Sequence, residues 1–169
     1  MNKAVIVFLK VPRHGQVKTR LTRILDRGLV LELYRAFVLD TLDAVKNCGK
    51  VFVFFWPQGQ EGDLRKWLVS HNRFICQAGK DLGEKMANAF ETVFKGGINQ
   101  AVLIGTDIPQ IDENLINKAF DRLDQHDMVI GPSMDGGYYL VGFNRVCFDK
   151  DVFKEIDWST QRVLKQQKY

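Results

Sequence analysis

The sequence predicts an α/β fold, a three-layer sandwich with helices on both faces of a mainly parallel sheet, on three observations. Short apolar runs alternate with stretches of helical periodicity along the chain. The first four apolar runs lack strict in–out alternation, as expected of strands covered on both faces. Polar, glycine-rich segments follow four of the runs, after Leu9, Gln77, Ile104 and Ile130. Sheets of this kind bind their ligands beyond the carboxyl ends of the strands.

Strands are predicted at residues 4–9, 51–56, 74–77, 101–104, 128–130 and 138–143. A first helix follows from Leu33, Tyr34, Phe37, Val38, Thr41, Leu42 and Val45, spaced by three and four, with Asn47-Cys48-Gly49 as its stop. A weaker helix carries Leu64, Trp67 and Leu68. The stripe Leu82, Met86, Ala89, Phe90, Val93 and Phe94 predicts another, with Asp81 and Glu84 spaced as a capping box and Gly96-Gly97 at its end. Asp112 begins the helix of Leu115, Ile116, Ala119, Phe120 and Leu123. Ser159 is expected to cap a last helix containing Val163 and Leu164.

The 169 residues suffice for one domain, 1–169, with its own hydrophobic core. At 46% hydrophobic and 26% charged residues, the composition is that of a soluble globular protein. No run approaches the roughly 20 apolar residues of a membrane span. The amino terminus reads as a strand and not as a signal peptide, because Lys10 ends its short apolar run. Cys48, Cys76 and Cys147 form no C-x-x-C pair, and His14, His71 and His126 are equally scattered. Structural zinc is therefore not expected; the thiols suit a reducing compartment, and the protein is expected to be cytoplasmic.

The net charge is +4 and the pI about 9.0. Much of the excess lies in the loop after the first strand, where Lys10, Arg13, Lys18, Arg20 and Arg23 occur with no acid among them. Such a cluster suits an anionic small molecule as well as nucleic acid. The aromatic residues are not interleaved with it, which argues against a nucleic-acid platform. Gly15 permits a tight turn, and Lys18 and Arg20 can neutralise phosphate oxygens. Gly15-Gln16-Val17-Lys18-Thr19 is not a P-loop: Val17 stands where that motif needs Gly before its Lys, and Arg13 stands in place of the earlier Gly.

In Gly105-Thr106-Asp107-Ile108-Pro109 a buried strand delivers one carboxylate at its end. Magnesium takes hard oxygen ligands, often one or two carboxylates plus substrate phosphates, and Asp107 is placed for that task. Asp112 is the better helix cap, which leaves Asp107 for the metal. Asp135-Gly136-Gly137 reads by itself as a hairpin turn. Together with Asp107 it offers a second carboxylate for an acceptor or a second metal contact. Gly79 and Gly83 bracket a helix start whose N–H groups suit an anion or a base edge, or merely a capped terminus. No Ser-His-Asp or Cys-His constellation can be assembled, so covalent hydrolysis is not expected.

Four ordered motifs carry a family resemblance: residues 5–21 (Val-Ile-Val-Phe-Leu-Lys-Val-Pro-Arg-His-Gly-Gln-Val-Lys-Thr-Arg-Leu), Gly-Thr-Asp-Ile-Pro at 105–109, Gly-Pro-Ser-Met-Asp-Gly-Gly-Tyr-Tyr-Leu-Val-Gly at 131–142, and Ile-Asp-Trp-Ser-Thr at 156–160. Together they resemble a prokaryotic glycosyltransferase-like family related to phospholactate guanylyltransferase and, more distantly, to the molybdenum-cofactor guanylyltransferases. The resemblance implies the nucleotide-diphospho-sugar transferase (GT-A) fold. It implies a nucleotide site made by Lys10, Pro12, Gly15, Lys18, Thr19 and Arg20, with Gln77, Gly79, Leu82 and Gly83 near the base. Lys18, Arg20 and Asp135 would be catalytic, Asp107 would hold Mg2+ or Mn2+, and Asp135, Gly136 and Gly137 would face the acceptor. The loop differs from the Gly-rich loop of the pyrophosphorylases, and relatives continue past the Trp-Ser-Thr motif, so the acceptor side is expected to be incomplete or completed by another subunit.

The expected function is a magnesium-dependent transferase with a nucleotide or nucleotide-sugar donor and a small-molecule acceptor. Nucleotidyl transfer to a small phosphorylated acceptor and glycosyl transfer from a nucleotide sugar both remain open, as does self-association. The alternative is a non-catalytic nucleotide-binding or partner-binding module of the same fold.

Overall fold

Six strands form one sheet in the order β3-β2-β1-β4-β6-β5 in a computed structural model that describes residues 2–68 and 73–167. The strands are β1 (Lys3–Lys10), β2 (Lys50–Trp56), β3 (Arg73–Cys76), β4 (Gln100–Gly105), β5 (Met128–Pro132) and β6 (Tyr138–Asn144). β1 pairs in parallel with β2 and β4, and β2 in parallel with β3. β6 runs antiparallel to both β4 and β5. All six predicted strands are present. Gln77, assigned above to the third, lies just beyond it, although its N–H still donates to Phe55 O at 2.9 Å.

Helices α1 (Arg27–Val45), α2 (Glu61–Trp67) and α4 (Glu113–Leu123) cover one face, and α3 (Leu82–Lys95) the other. The period of two along β1 sorts its side chains: Val5, Val7 and Leu9 enter the first core, Ala4 and Ile6 the second. Because both faces are covered, every residue from Ala4 to Val7 is fully buried. That explains why the run is apolar without alternation. The second core centres on Phe90, whose ring meets Phe143 edge-on at 5.0 Å and stacks with Phe94 at 5.8 Å. Burying a side chain of this size stabilises the fold by about 1.5–3 kcal/mol.

Caps fix the helix starts. Asp81 Oδ1 accepts from Glu84 N at 2.8 Å, and Glu84 Oε2 accepts in return from Lys80 N at 2.9 Å, one residue before the usual partner of a capping box. Asp112 Oδ1 accepts from Leu115 N at 2.7 Å, as expected. α1 starts before the Leu33 stripe, because Asp26 Oδ1 accepts from Gly28 N at 2.7 Å and Leu29 N at 3.3 Å. Those two bonds hold the Asp26 carboxyl below its ordinary value. At the other end of the chain the expectation for Ser159 fails. α5 (Val163–Gln166) follows Arg162, which makes no side-chain cap, while Ser159 sits in the left-handed region at φ 66°. The turn is held instead by Thr160, whose hydroxyl donates to Asp157 O at 2.7 Å and accepts from Arg162 N at 3.2 Å. Among the described residues no helix is long and apolar enough to cross a membrane. His71 lies outside the described residues; His14 and His126 are exposed.

Candidate active site

The chain runs from β1 outward to β3, then returns to place β4 on the other flank of β1. The direction of winding reverses between β1 and β4, and a crevice opens there beyond the carboxyl ends of the strands. A cleft of about 680 Å³ occupies this place.

The loop leaving β1 is tied down before it is free to carry charge. Val11 N donates to Trp56 O at 2.8 Å, and the side chains of Val11 and Val17 are both 3% exposed within the first core. Residues 12–16 arch between these anchors. Gln16 N donates to Arg13 O at 3.1 Å across a turn with Gly15 at φ 70°, the value a type II turn needs at its third residue. Nothing lies within 4 Å of where a Gly15 Cβ would be, so its backbone conformation is the reason for glycine there. The loop does not run into an α-helix at Lys18: only a three-residue 3-10 turn, Leu21–Arg23, follows before α1 begins at Arg27, in keeping with the absence of a P-loop.

Lys18 itself stands at φ 48° and aims its ammonium at Asp107, with Nζ 2.9 Å from Oδ1. The lysine side chain is 22% exposed and the aspartate 64%. Tyr34, read from sequence only as part of a helix stripe, joins the two strand ends behind this pair. Its hydroxyl accepts from Lys10 N at 2.9 Å and donates to Lys10 O at 3.0 Å, and Thr106 Oγ1 lies 3.5 Å from it. Burial pushes the Tyr34 phenol upward, so the hydroxyl keeps its proton for these bonds. The signal for this role was a phenol tip within a largely apolar stripe, and the structure adds the buried Thr106 before Asp107.

The cleft's other walls come from its two sides. On the β2 and β3 side stand Trp56, Gln77, the helix cap Asp81, Leu82 and Lys85. Gln77 Nε2 donates to Phe54 O at 3.0 Å, which leaves its Oε1 as an acceptor. Lys85 Nζ lies 4.2 Å from the centre of the Trp56 ring, within cation–π range. On the β6 side the hairpin between β5 and β6 contributes Ser133, Asp135, Tyr138 and Tyr139, and the segment before α5 contributes Ser159. Asp135 Oδ1 accepts from Ser133 Oγ in a short bond and from Gly137 N at 3.2 Å. These bonds, the hydroxyl first, hold its carboxyl below the ordinary value. The turn is thus a hairpin and a wall of the cleft at once.

Of the residues singled out from sequence, Lys10, Lys18, Gln77, Leu82, Asp107 and Asp135 line this one cleft. Pro12, Gly15, Thr19, Arg20, Gly79, Gly83, Gly136 and Gly137 do not. Thr19 and Arg20 are exposed on the arch, and no acid pairs with Arg20 among the described residues. Arg13 is taken up by Asp63 at 2.9 Å. The glycines serve close packing: a Cβ on Gly79 would lie 2.7 Å from Lys85 N, and one on Gly83 would lie 2.7 Å from Phe153 O and 2.8 Å from Trp158 Nε1. Trp56 and Lys85 belong to the cleft and carried no signal that motif spacing could read, one ending an apolar run and the other lying on a helix; Tyr138 and Ser159 stood in motifs without a site role of their own.

A divalent cation fits part of this site. Asp107 offers an exposed carboxylate and Asp135 a second along the same cleft, but no cluster of three or more His, Cys, Asp or Glu side chains exists among the described residues. That is the donor set of an ion completed by substrate phosphates and water, and not of an all-protein cage.

Residues 38–160 match the family described as "Uncharacterized protein conserved in bacteria (DUF2064)". No curated protein matches the chain. Among solved structures, a protein of Desulfovibrio desulfuricans G20 provisionally assigned as a nucleotide-diphospho-sugar transferase is 35% identical, with a TM-score of 0.94 over 98% of this chain and 73% of that one. Rv0371c of Mycobacterium tuberculosis H37Rv, in a complex with manganese, shares the fold at 17% identity and a TM-score of 0.56, covering 92% of this chain and 74% of that one. The 4-diphosphocytidyl-2C-methyl-D-erythritol synthase of Anaerococcus prevotii DSM 20548 does so at 13% identity and 0.60, covering 97% and 82%. The expected GT-A architecture is therefore the one observed.

Proposed function

The chain belongs to the DUF2064 family, and we propose that it is a divalent-metal-dependent transferase using a nucleotide donor. One observation carries the reading: Lys10, Lys18 and Asp107 converge at the carboxyl ends of β1 and β4, where the order of the sheet reverses. Cations and a lone carboxylate at such a point suit a polyphosphate with its counter-ion.

Lys18 and Lys10 neutralise the donor's phosphate oxygens, and Arg20, free on the arch, folds over them when the donor is seated. The base lies on the β3 side, against Gln77 and Leu82, with Gly79 and Gly83 shaping the turn. Asp107 holds Mg2+ or Mn2+. The ion, when bound, screens the charge that develops on the leaving phosphate. Asp135, with Gly136 and Gly137 behind it, meets the acceptor. The protein's own contribution is positioning and charge neutralisation, which supplies most of what phosphate-centred transfer requires. The structure of Rv0371c with manganese supports a divalent ion in this fold, and the Desulfovibrio relative supports a nucleotide donor.

Two chemistries use such a site: attack on the donor's α-phosphate by a small phosphorylated acceptor, and attack on the sugar carbon of a nucleotide sugar. Incubation with each nucleoside triphosphate and with nucleotide sugars, in Mg2+ or Mn2+, separates them. Pyrophosphate release identifies the first, nucleoside diphosphate release the second. Failure of every nucleotide to raise the melting temperature with metal present would remove the reading altogether.

A further inference from the structure

Followed in sheet order, the cleft carries its lysines on the β2 and β1 side, together with the α3 cap Asp81, and none on the β6 side. Lys85 stands on the β2 side and Lys10 and Lys18 at β1; Asp107 follows at β4, and Asp135 on the β5–β6 hairpin. Among the described residues these three lysines are the only cations lining the cleft. The β6 side presents a carboxylate, the hydroxyls of Ser133 and Ser159, and two tyrosines. Arg162 and Lys165, which follow on the same terminal segment, are exposed and do not line it.

This side is built and not incidental. Gly136, at φ 85°, lies so close to the backbone of Gln161 that a Cβ there would collide with it, and Leu164 N donates to Gly136 O at 2.9 Å. The hairpin and the terminal segment are thereby locked together, which brings Ser159 beside Ser133 and Asp135 on the cleft wall. The Tyr138 ring also lines the cleft, braced edge-on by Trp158 at 6.4 Å between centroids. Its hydroxyl is shielded from solvent and has no hydrogen-bond partner among the described residues. Asp135 spends Oδ1 on Ser133 and Gly137, and among the described residues its Oδ2 has no hydrogen-bond partner.

We propose that this wall is the acceptor subsite and that it takes an uncharged, polyhydroxylated acceptor, a sugar or polyol, in place of a phosphorylated one. The inference rests on the nucleotide-donor reading above and names the acceptor class for it. Hydroxyls, a carboxylate and an unpartnered phenol are the groups that exchange hydrogen bonds with a polyol. A phosphate dianion on this wall would face Asp135, while the lining lysines stand at β1 and on the β2 side and Lys18 is already paired with Asp107. In the transfer, the acceptor's O–H bond breaks and its proton passes to Asp135 Oδ2. The acceptor oxygen forms the bond to the transferred group, and the donor's phosphate departs with the pair from the bond that breaks.

Matched probes test this: glucose against glucose 6-phosphate and glycerol against glycerol 3-phosphate, by saturation-transfer NMR titration with magnesium and UDP, GDP, CDP or ADP in turn. The expected result is binding of the neutral member, with the phosphorylated one roughly tenfold or more weaker. Tyr138→Phe and Asp135→Asn should each weaken the neutral probe, and Asp135→Asn should narrow the gap between the pair. Tyr138→Phe should leave the melting temperature unchanged or raised, since it removes an unpartnered buried hydroxyl. Equal or tighter binding of the phosphorylated member, no binding of either, or neutral binding that survives both variants would overturn the proposal. If nucleotides bind and the phosphorylated probe is preferred, only the acceptor class falls. If no nucleotide binds, the donor reading falls with it.

Discussion

Lys18 Nζ lies 2.9 Å from Asp107 Oδ1, so the group proposed to grip the donor's phosphates is held by the group proposed to hold its metal ion. The ammonium occupies an oxygen that a cation would use, and the carboxylate occupies the charge that a phosphate would use. On the proposed function each ligand relieves a competitor of the other, and metal and nucleotide should reinforce one another. With the aspartate mostly solvated, the pair itself contributes no more than about 1 kcal/mol.

From this follows the effect of Lys18→Gln. Affinity for Mn2+ in the absence of nucleotide should rise about fivefold, the counterpart of about 1 kcal/mol. Affinity for a nucleoside diphosphate should fall. Titration calorimetry with Mn2+ alone and with nucleotide alone reads both, and an unchanged Mn2+ affinity would show that the pair imposes no competition.

Asp107→Asn should abolish the dependence of nucleotide binding on metal while leaving the fold intact. Asp107 caps no helix, because Asp112 does so for α4, and its side chain is 64% exposed. The change in unfolding free energy should stay within about 0.5 kcal/mol, the range of ordinary surface substitutions. Urea denaturation and a thermal shift with and without magnesium provide the two readings.

Tyr34→Phe should act through the backbone of Lys10. The hydroxyl closes two bonds with that residue, at 2.9 and 3.0 Å, and its loss leaves a half-buried N–H and C=O unpaired. A cost of about 1–3 kcal/mol in urea unfolding is expected. Amide exchange should accelerate in residues 10–18 ahead of the rest of the sheet.

Gly136→Ala combines strain at φ 85° with a collision against Gln161. Loss of more than about 1 kcal/mol is expected from the backbone conformation alone. The readout that matters is selective: binding on the β6 side should weaken while nucleotide binding, at the other end of the cleft, persists.

Acid should loosen the start of α1. Asp26 is held below the ordinary carboxylate value of 3.8 by its cap bonds, so its contribution is complete above that pH. It is lost as pH falls through the lower folded value, when the protonated side chain ceases to be a strong acceptor. Asp26→Asn, which keeps a cap acceptor without the charge, should flatten that part of the stability curve below pH 3.8. Denaturant titrations of both proteins across the acid range check it.

Much of the frame was legible in the residues. The continuous apolarity of Ala4–Val7 announced a strand buried on both faces, and Asp81, Asp112 and the stripes beside them announced α3 and α4. Asp107 stood out because a strand ended at it and a better cap followed. These are local signals: periodicity, capping and turn chemistry act over a few residues, and the chain states them in order. Ser159 misled for the same reason. A serine ahead of a helical stretch looks like a cap, but the chain takes Ser159 into the left-handed region and holds the turn through Thr160, leaving α5 without a side-chain cap.

The sequence by itself determined which segments are strands and helices, that both faces of the sheet are covered, and that a basic loop and a lone carboxylate sit at strand ends. Tertiary structure alone decided that Lys18 meets Asp107, that Tyr34 joins the ends of β1 and β4, and that Lys85 lies over Trp56. It also decided that the lysines lining the cleft stand at β1 and on the β2 side, and a carboxylate with hydroxyls on the β6 side. The physical reason is the order of the sheet. Winding outward to β3 and back to β4 sets residues far apart in the chain side by side, and no local propensity records which strand end will become whose neighbour.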